Sequence, residues 1–438
     1  MKHNKYIKNF PPCFTPQIVA ERLRDGYWIQ SFDVANAHRY DLVAYGPGVG
    51  EIYWYENILT IDGVVEWKRH LLVDNIRMPV GMDNFEIAGS GRQDIIICYD
   101  LYGDGGTFHD PSPNGGKIDW LENPGTEVSE DVRWKRRYIG QIPTMHRLRA
   151  GYFTQKDRME LVGFPIVSAT AMHGVIPVAL FTRPDNVLEA GNWPMKIIDN
   201  HSFRFVHGVE KKTGLIPDSD LDSLIISSDE GVSWFYYDKK TNRWVRHLIG
   251  IGDVIQVEKT HFKGSGDADV GRLGNEQFGY VAALEPFHGN TVVVYCKQRN
   301  ADPRIVKWKR YVLDVFGDPD IKGESPGHCI VCADFDNDGD DEFLVGLRGP
   351  APWQGVMYYK AIDAENGVFA KWRVGEESVA RITLGDFLQR GVIDFSTIGY
   401  SVPNYFEASN PKVMVYYNNI IDQDNIFSSF PNDEENEL

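Results

Sequence analysis

A short aromatic strand recurs seven times along this chain, and that repeat limits the possible folds more than any other feature. The copies are IYWYEN (52–57), IDWLEN (118–123), VALFTR (178–183), VSWFYY (232–237), VVVYCK (292–297), VMYYK (356–360) and VMVYYNN (413–419). Six of them are followed by a Trp that opens another short strand: Trp67, Trp134, Trp193, Trp244, Trp308 and Trp372. An apolar run precedes the aromatic strand, as in DLVAYG (41–46), DIIICY (94–99), ELVGF (160–164), SLIIS (223–227) and EFLVG (342–346). Each unit therefore holds about four strands and shows no sustained helical periodicity, which is the pattern of a propeller blade. A lone blade cannot bury both of its faces, so the seven units pack radially and close into a ring.

The expected fold class is all-β: a single seven-bladed β-propeller domain over residues 1–438. The blades are expected at 24–72, 73–140, 141–198, 199–250, 251–314, 322–374 and 375–419. The seventh repeat lacks its Trp strand, and the N-terminal segment 17–23 is expected to close the ring in its place. The acidic tail 431–438 reads as disordered. The tryptophans read as packing between blades and not as a sugar-stacking platform.

Composition fits one large closed β unit, with 438 residues of which 42% are hydrophobic. The balance of 45 basic against 62 acidic residues, a net charge of −17, argues against nucleic acid or an anionic membrane as partner. Five cysteines in so long a chain do not suggest a disulfide framework. The N-terminus carries no apolar signal core, and no run approaches the ~18 apolar residues of a membrane span. A cytoplasmic, soluble protein is expected, and a homodimer is left open.

Two constellations can carry chemistry. The first is ADFDNDGDDEFLVG (333–346), where Asp334, Asp336, Asp338 and Asp340 alternate on a turning loop and Glu342 follows. Alternate carboxylates suit a hard cation, so a structural Ca²⁺ or Mg²⁺ is expected there. Weaker versions occur at Asp218, Asp220 and Asp222, and at Asp267 and Asp269.

The second is a set of histidines. Stepping back fourteen positions from the acidic residue that opens each second strand leads from Glu342 to His328 and from Glu160 to His146. Asp222 lies fifteen positions after His207, and His261 precedes the strand that begins near Phe278. His201 is the substitute should His207 face elsewhere. The same step gives Tyr27, Val80 and Ala380 in blades one, two and seven. Innermost strands line the channel, so four blades would aim imidazoles at one side of it. Imidazole suits Zn²⁺, and the small residues opposite leave room for a ligand. The loops after the second strands add His109, Asp110, His173, Glu285, His288, Arg348 and Tyr400 at the entrance. Cys329 and Cys332 mimic a redox pair, but on a strand their side chains point to opposite faces and read as core.

The repeats, the FG-GAP-like loop ADFDNDGDDEFLVG, the IDWLENPG-type strand and the channel histidines resemble the propeller of fungal aldos-2-ulose dehydratase and 1,5-anhydro-D-fructose dehydratase. That resemblance implies a zinc in the propeller, carried over to His146, His207, His261 and His328. It implies a loop cation at Asp334, Asp336, Asp338, Asp340 and Glu342. It also implies a sugar substrate and a hydro-lyase, eliminating water from a 2-keto sugar such as 1,5-anhydro-D-fructose. Proton abstraction next to a metal-polarised ketone and loss of the β-hydroxyl are steps that such a site can support. His288 and Glu285 are the candidate bases, with Tyr27, His109 and His173 behind them. A non-catalytic propeller binding a glycan or protein, and a metal-dependent uronide lyase, are the other two readings.

Overall fold

The computed structural model describes residues 11–420 except 62, 126–132, 218, 254–261 and 321–322. The tail expected to be disordered, 431–438, lies outside the described residues, as does His261.

Seven four-stranded antiparallel sheets make the seven blades. Blade one is typical: Trp28–Phe32 is innermost, followed outward by Asp41–Tyr45, Ile52–Leu59 and Val65–Val73. Its second strand is buried at every position because both faces meet neighbouring blades. That explains the unbroken apolar runs. The outermost strand mixes buried and exposed residues, with Glu66, Lys68 and Arg69 exposed.

Blade seven takes Arg381–Gly385, Asp394–Ile398 and Val413–Asn418 from the C-terminal end, and Phe14–Ala20 from the N-terminal end. The pairing runs from Phe14 opposite Asn418 to Ala20 opposite Val413. The ring is thus closed by the N-terminal strand, three residues earlier than the expected 17–23. The backbone leaves the sheet by Leu23, whose N–H bonds to the Pro411 carbonyl. Trp134 and Trp193 are buried, and Trp67, Trp244, Trp308 and Trp372 pack against the blade cores.

In blades one, two and seven the acidic residue that opens the second strand ties the turn before it to the end of the aromatic strand of the same blade. Asp41 accepts the backbone N–H groups of Val34, Ala35 and Asn57. Asp94 does the same for Ile87, Ala88 and Asn123, and Asp394 for Phe387 and Asn418. The Asn at the end of the aromatic strand then reaches the preceding blade of the ring. Asn57 Nδ2 donates to Phe387 O at 2.9 Å, Asn123 to Val34 O at 2.9 Å and Asn418 to Phe335 O at 2.8 Å. Arg183 fills this role in blade three, donating to Ile87 O at 2.7 Å. These buried bridges satisfy turn carbonyls that water cannot reach.

Candidate functional site

One layer of the channel is set where the innermost strands begin. Tyr27, Val80, Gly266 and Ala380 each donate their N–H to a carbonyl within the last two residues of the paired second strand. In blades three, four and six the equivalent residue sits on a register shift, between Met145 and Arg147, Val206 and Gly208, and Gly327 and Cys329. His146, His207 and His328 occupy those bulges. A bulge re-aims a side chain, and here it places an imidazole in the channel.

Blade five departs from the expected spacing. Its second strand, Glu276–Glu285, is long, and Asp267 pairs with Leu284. Gly266, not His261, therefore holds the equivalent position. The loop carrying Phe287 and His288 lies over it: a Cβ on Gly266 would stand 3.1 Å from His288 N. His288 has φ of 44° and turns its ring into the channel.

The result is a cluster of three imidazoles. His207, His288 and His328 each offer a ring nitrogen, all within 4.8 Å of one another. Their outer nitrogens are anchored. His207 Nδ1 lies 2.8 Å from Gly266 O, His328 Nδ1 bonds to Ala380 O, and His288 Nδ1 lies 2.6 Å from Glu324 Oε2. Carbonyls and carboxylates only accept, so each Nδ1 carries the hydrogen and each Nε2 lone pair points inward. Nε2 of His288 and of His328 is buried without a hydrogen-bond partner. Buried orphan acceptors are costly, and converging neutral imidazoles with oriented outer nitrogens are the donor set of a borderline metal ion. The residues present therefore fit a metal.

Electrostatics keep these rings neutral. Burial drives His146, His207 and His328 well below the usual histidine range; the Arg147 charge adds to this at His146 and His207, and His288 adds to it at His328. Burial also lowers His288, to about 4, against the opposing pull of Glu324. Burial alone would raise Glu324, but His288 and Arg348 outweigh it and hold the carboxyl far below its ordinary range.

His146 stands beside the cluster. Its Nε2 lies 2.9 Å from Arg147 Nη1 and 3.3 Å from the Tyr27 hydroxyl. Arg147 is fully buried and also donates to Val80 O, to Tyr27 and toward His207 Nε2 at 3.3 Å. Two walls rise toward the mouth. On one side Tyr400 packs 4.8 Å from His328, with Arg348 over its ring at 5.1 Å and Tyr405 reaching His288. On the other side Phe205, Phe262 and Phe287 interlock, and Phe287 stacks on His288 at 3.8 Å.

Several expectations change. Of the four channel ligands, His207 and His328 enter the cluster, His146 flanks it and His261 lies outside the described residues. His288, expected as a base, supplies the third nitrogen. Glu285 is committed elsewhere: it is buried and holds Arg310 Nε at 2.8 Å and the Tyr295 hydroxyl. His109 and His173 are exposed loop residues. His201 is likewise solvent-facing, beside Asp199.

In the acidic loop, oxygens of Asp334, Asp336 and Asp338 come within 4.8 Å of one another. The buried Lys360 ammonium, however, sits among Asp336, Asp338 and Glu342, where the sequence suggested a cation. Asp340 turns instead to Gly274 N at 2.7 Å in blade five. Cys329 and Cys332 are buried free thiols in separate core clusters, as expected. Arg147 and Glu324 were not found by sequence reasoning. Strand alternation would send Arg147 away from its neighbour His146, and only the bulge turns both inward.

Residues 115–298 match the family model described as the β-propeller domain of aldos-2-ulose dehydratase. The aldos-2-ulose dehydratase of Phanerodontia chrysosporium is 36% identical over 423 residues, covering 92% of this chain and 46% of that protein. This chain thus spans about half the length of that relative. Among solved structures, a lectin of Agrocybe aegerita recognising non-reducing terminal N-acetylglucosamine gives a TM-score of 0.45 at 14% identity, covering 81% of each chain. AofleA from Arthrobotrys oligospora gives 0.42 at 8%, covering 83% of this chain and 90% of its own. Likenesses this loose bear on neither fold nor function. From the family model and the identity over nearly its whole length, the chain resembles the β-propeller domain of aldos-2-ulose dehydratase.

Proposed function

We propose that this propeller is a metal-dependent hydro-lyase that removes water from a 2-keto sugar such as 1,5-anhydro-D-fructose. The observation that carries the reading is the convergence of the His207, His288 and His328 ring nitrogens, two of them buried and unpartnered. These residues would hold the ion, with zinc the best match to three neutral imidazoles. A zinc bound there would supply Lewis acidity to a ketone oxygen.

The chain's own groups perform the remaining tasks. Arg147, buried and adjacent to the cluster, places a permanent positive charge where an enolate oxygen gains negative charge. Neutral His146 takes the proton α to the ketone once the Arg147 guanidinium turns from its Nε2 to the enolate oxygen, and the Tyr27 hydroxyl bonded to it relays that proton to the departing β-hydroxyl. The C–H bond breaks, its electron pair forms the new double bond, and the C–O bond breaks as water leaves. Phe205, Phe287 and Tyr400 wall the site against bulk water.

The test is a panel of anhydrofructose, glucosone and a uronide, read by absorbance of an unsaturated ketone before and after metal chelation. Turnover of a keto sugar that stops on chelation and returns with zinc supports the reading. Turnover of the uronide alone, or turnover indifferent to chelation, overturns it.

A further inference from the structure

The histidine cluster is closed to solvent. Its three rings are buried, and Nε2 of His288 and of His328 meets neither solvent nor a hydrogen-bond partner. Whatever the cluster binds must therefore displace something first. We propose that the hairpin Ser401–Glu407 is a lid over the cluster, latched shut by the Tyr405 hydroxyl.

The hairpin rises from blade seven, between Asp394–Ile398 and Val413–Asn418. Two residue pairs hold it together, Ser401 with Glu407 and Val402 with Phe406, and Asn404 turns it with φ of 63°. So short a ribbon has little stability of its own, and its position depends on what it rests on. Its base is fixed by Ser401, which exchanges two backbone hydrogen bonds with Gly26. Its tip, made of Pro403, Asn404 and Tyr405, is exposed.

Tyr405 joins that tip to the site. The residue is 39% exposed, yet its hydroxyl lies 3.0 Å from His288 Nδ1 and donates to Glu324 Oε1. It thereby reaches from blade seven to the blade-five loop that carries His288 and to Glu324, just before the innermost strand of blade six. Among the described residues no other exposed side chain bonds to a ring of the cluster. Phe406, next to Tyr405, lies 5.5 Å from Tyr400, whose ring covers His328 at 4.8 Å. Lifting the tip about Ser401 would uncover His288 directly and His328 by freeing Tyr400. Opening breaks one charge-assisted hydrogen bond and the contacts of Arg348 with the Tyr405 and Phe406 rings, while the four-stranded sheet of blade seven stays intact. The lid rests on the reading above of the cluster as a working site, but on neither its metal nor its reaction.

Diethyl pyrocarbonate, which acylates neutral imidazoles, tests the lid on the metal-free full chain, with peptide mapping by mass spectrometry to separate the histidines. No metal or sugar is present, so the outcome is distinct from that of the substrate panel. The exposed His201 reports free reaction, and His70, buried on an outer strand, reports unfolding. In the wild type His288 and His328 are expected to react about tenfold more slowly than His201 or slower still, because only the open fraction is attacked. Tyr405→Phe keeps the ring and removes the latch, a hydrogen bond to a charged group. It should speed both residues about tenfold, and Tyr405→Ala at least as much, with His70 and His201 unchanged. Should Tyr405→Ala become reactive at His70, Tyr405→Phe decides. A response at His288 alone would show only the local loss of its hydrogen bond and overturns the lid. So would unchanged rates in both variants, or wild-type rings as reactive as His201.

Discussion

Glu324 shows how much of the site depends on residues that hold the outer nitrogens of its imidazoles. Its carboxylate takes the Nδ1 hydrogen of His288 and is itself fixed by Arg348 and Tyr405. Outer partners of this kind typically contribute 10–100-fold to metal affinity. Glu324→Gln is therefore expected to weaken zinc binding by about that factor while the propeller stays folded, read by competition with a chelating dye. Unchanged affinity would show that the His288 orientation is set elsewhere. The same residues dictate a pH response. The folded-state pKa of each channel histidine lies below the unfolded value of about 6.5, and that of His288 is about 4. Across that window the unfolded chain binds more protons, so metal-free stability rises with pH and is lost as pH falls through it. Protons compete with the metal only at the folded-state pKa values. Metal should thus be retained on dialysis at pH 6 and released toward pH 4; release already at pH 6 would contradict the buried, neutral state of these rings.

At the scale of strands and loops, much was legible because the repeat carries its own ruler. The acidic residue opening the second strand locates His146, His207 and His328, since each blade needs a carboxylate at that turn. It fails in blade five, where the second strand is longer and begins with Glu276. His288 reaches the channel from a loop, and no periodicity announces that. The Asn residues closing the aromatic strands were visible as letters, but their bridging role needed the neighbouring turn. Asn57→Ala and Asn123→Ala each remove a buried donor to two carbonyls. Each should cost about 1–3 kcal/mol in denaturant unfolding; a cost near zero would mean that the bridges are incidental. The acidic loop was legible as a charge cluster, but its compensating Lys360 lies on another strand. Lys360→Met leaves Asp336, Asp338 and Glu342 crowded together without their ammonium group. Melting temperature should fall, and millimolar Ca²⁺ should recover part of the loss; no fall would show that the loop does not need a cation of either kind.

For the molecule as a whole, closure is the property on which everything else depends. The channel layer exists because seven innermost strands are held at one height, and the ring is sealed by a single strand from the other end of the chain. Removing residues 1–25 leaves Val413–Asn418 as an open edge, which invites edge-to-edge association. Loss of the monomer peak in size-exclusion chromatography, with an earlier melting transition, is expected; unchanged melting would contradict the closure. The central claim is that the closed ring brings His207, His288 and His328 to one metal. Elemental analysis of zinc in the wild type and in the His207→Ala, His288→Ala, His328→Ala and His261→Ala variants tests it most directly. One zinc per wild-type chain is expected, with the metal lost from the first three variants and kept in His261→Ala. Full zinc in the first three, or zinc lost only with His261, would contradict it.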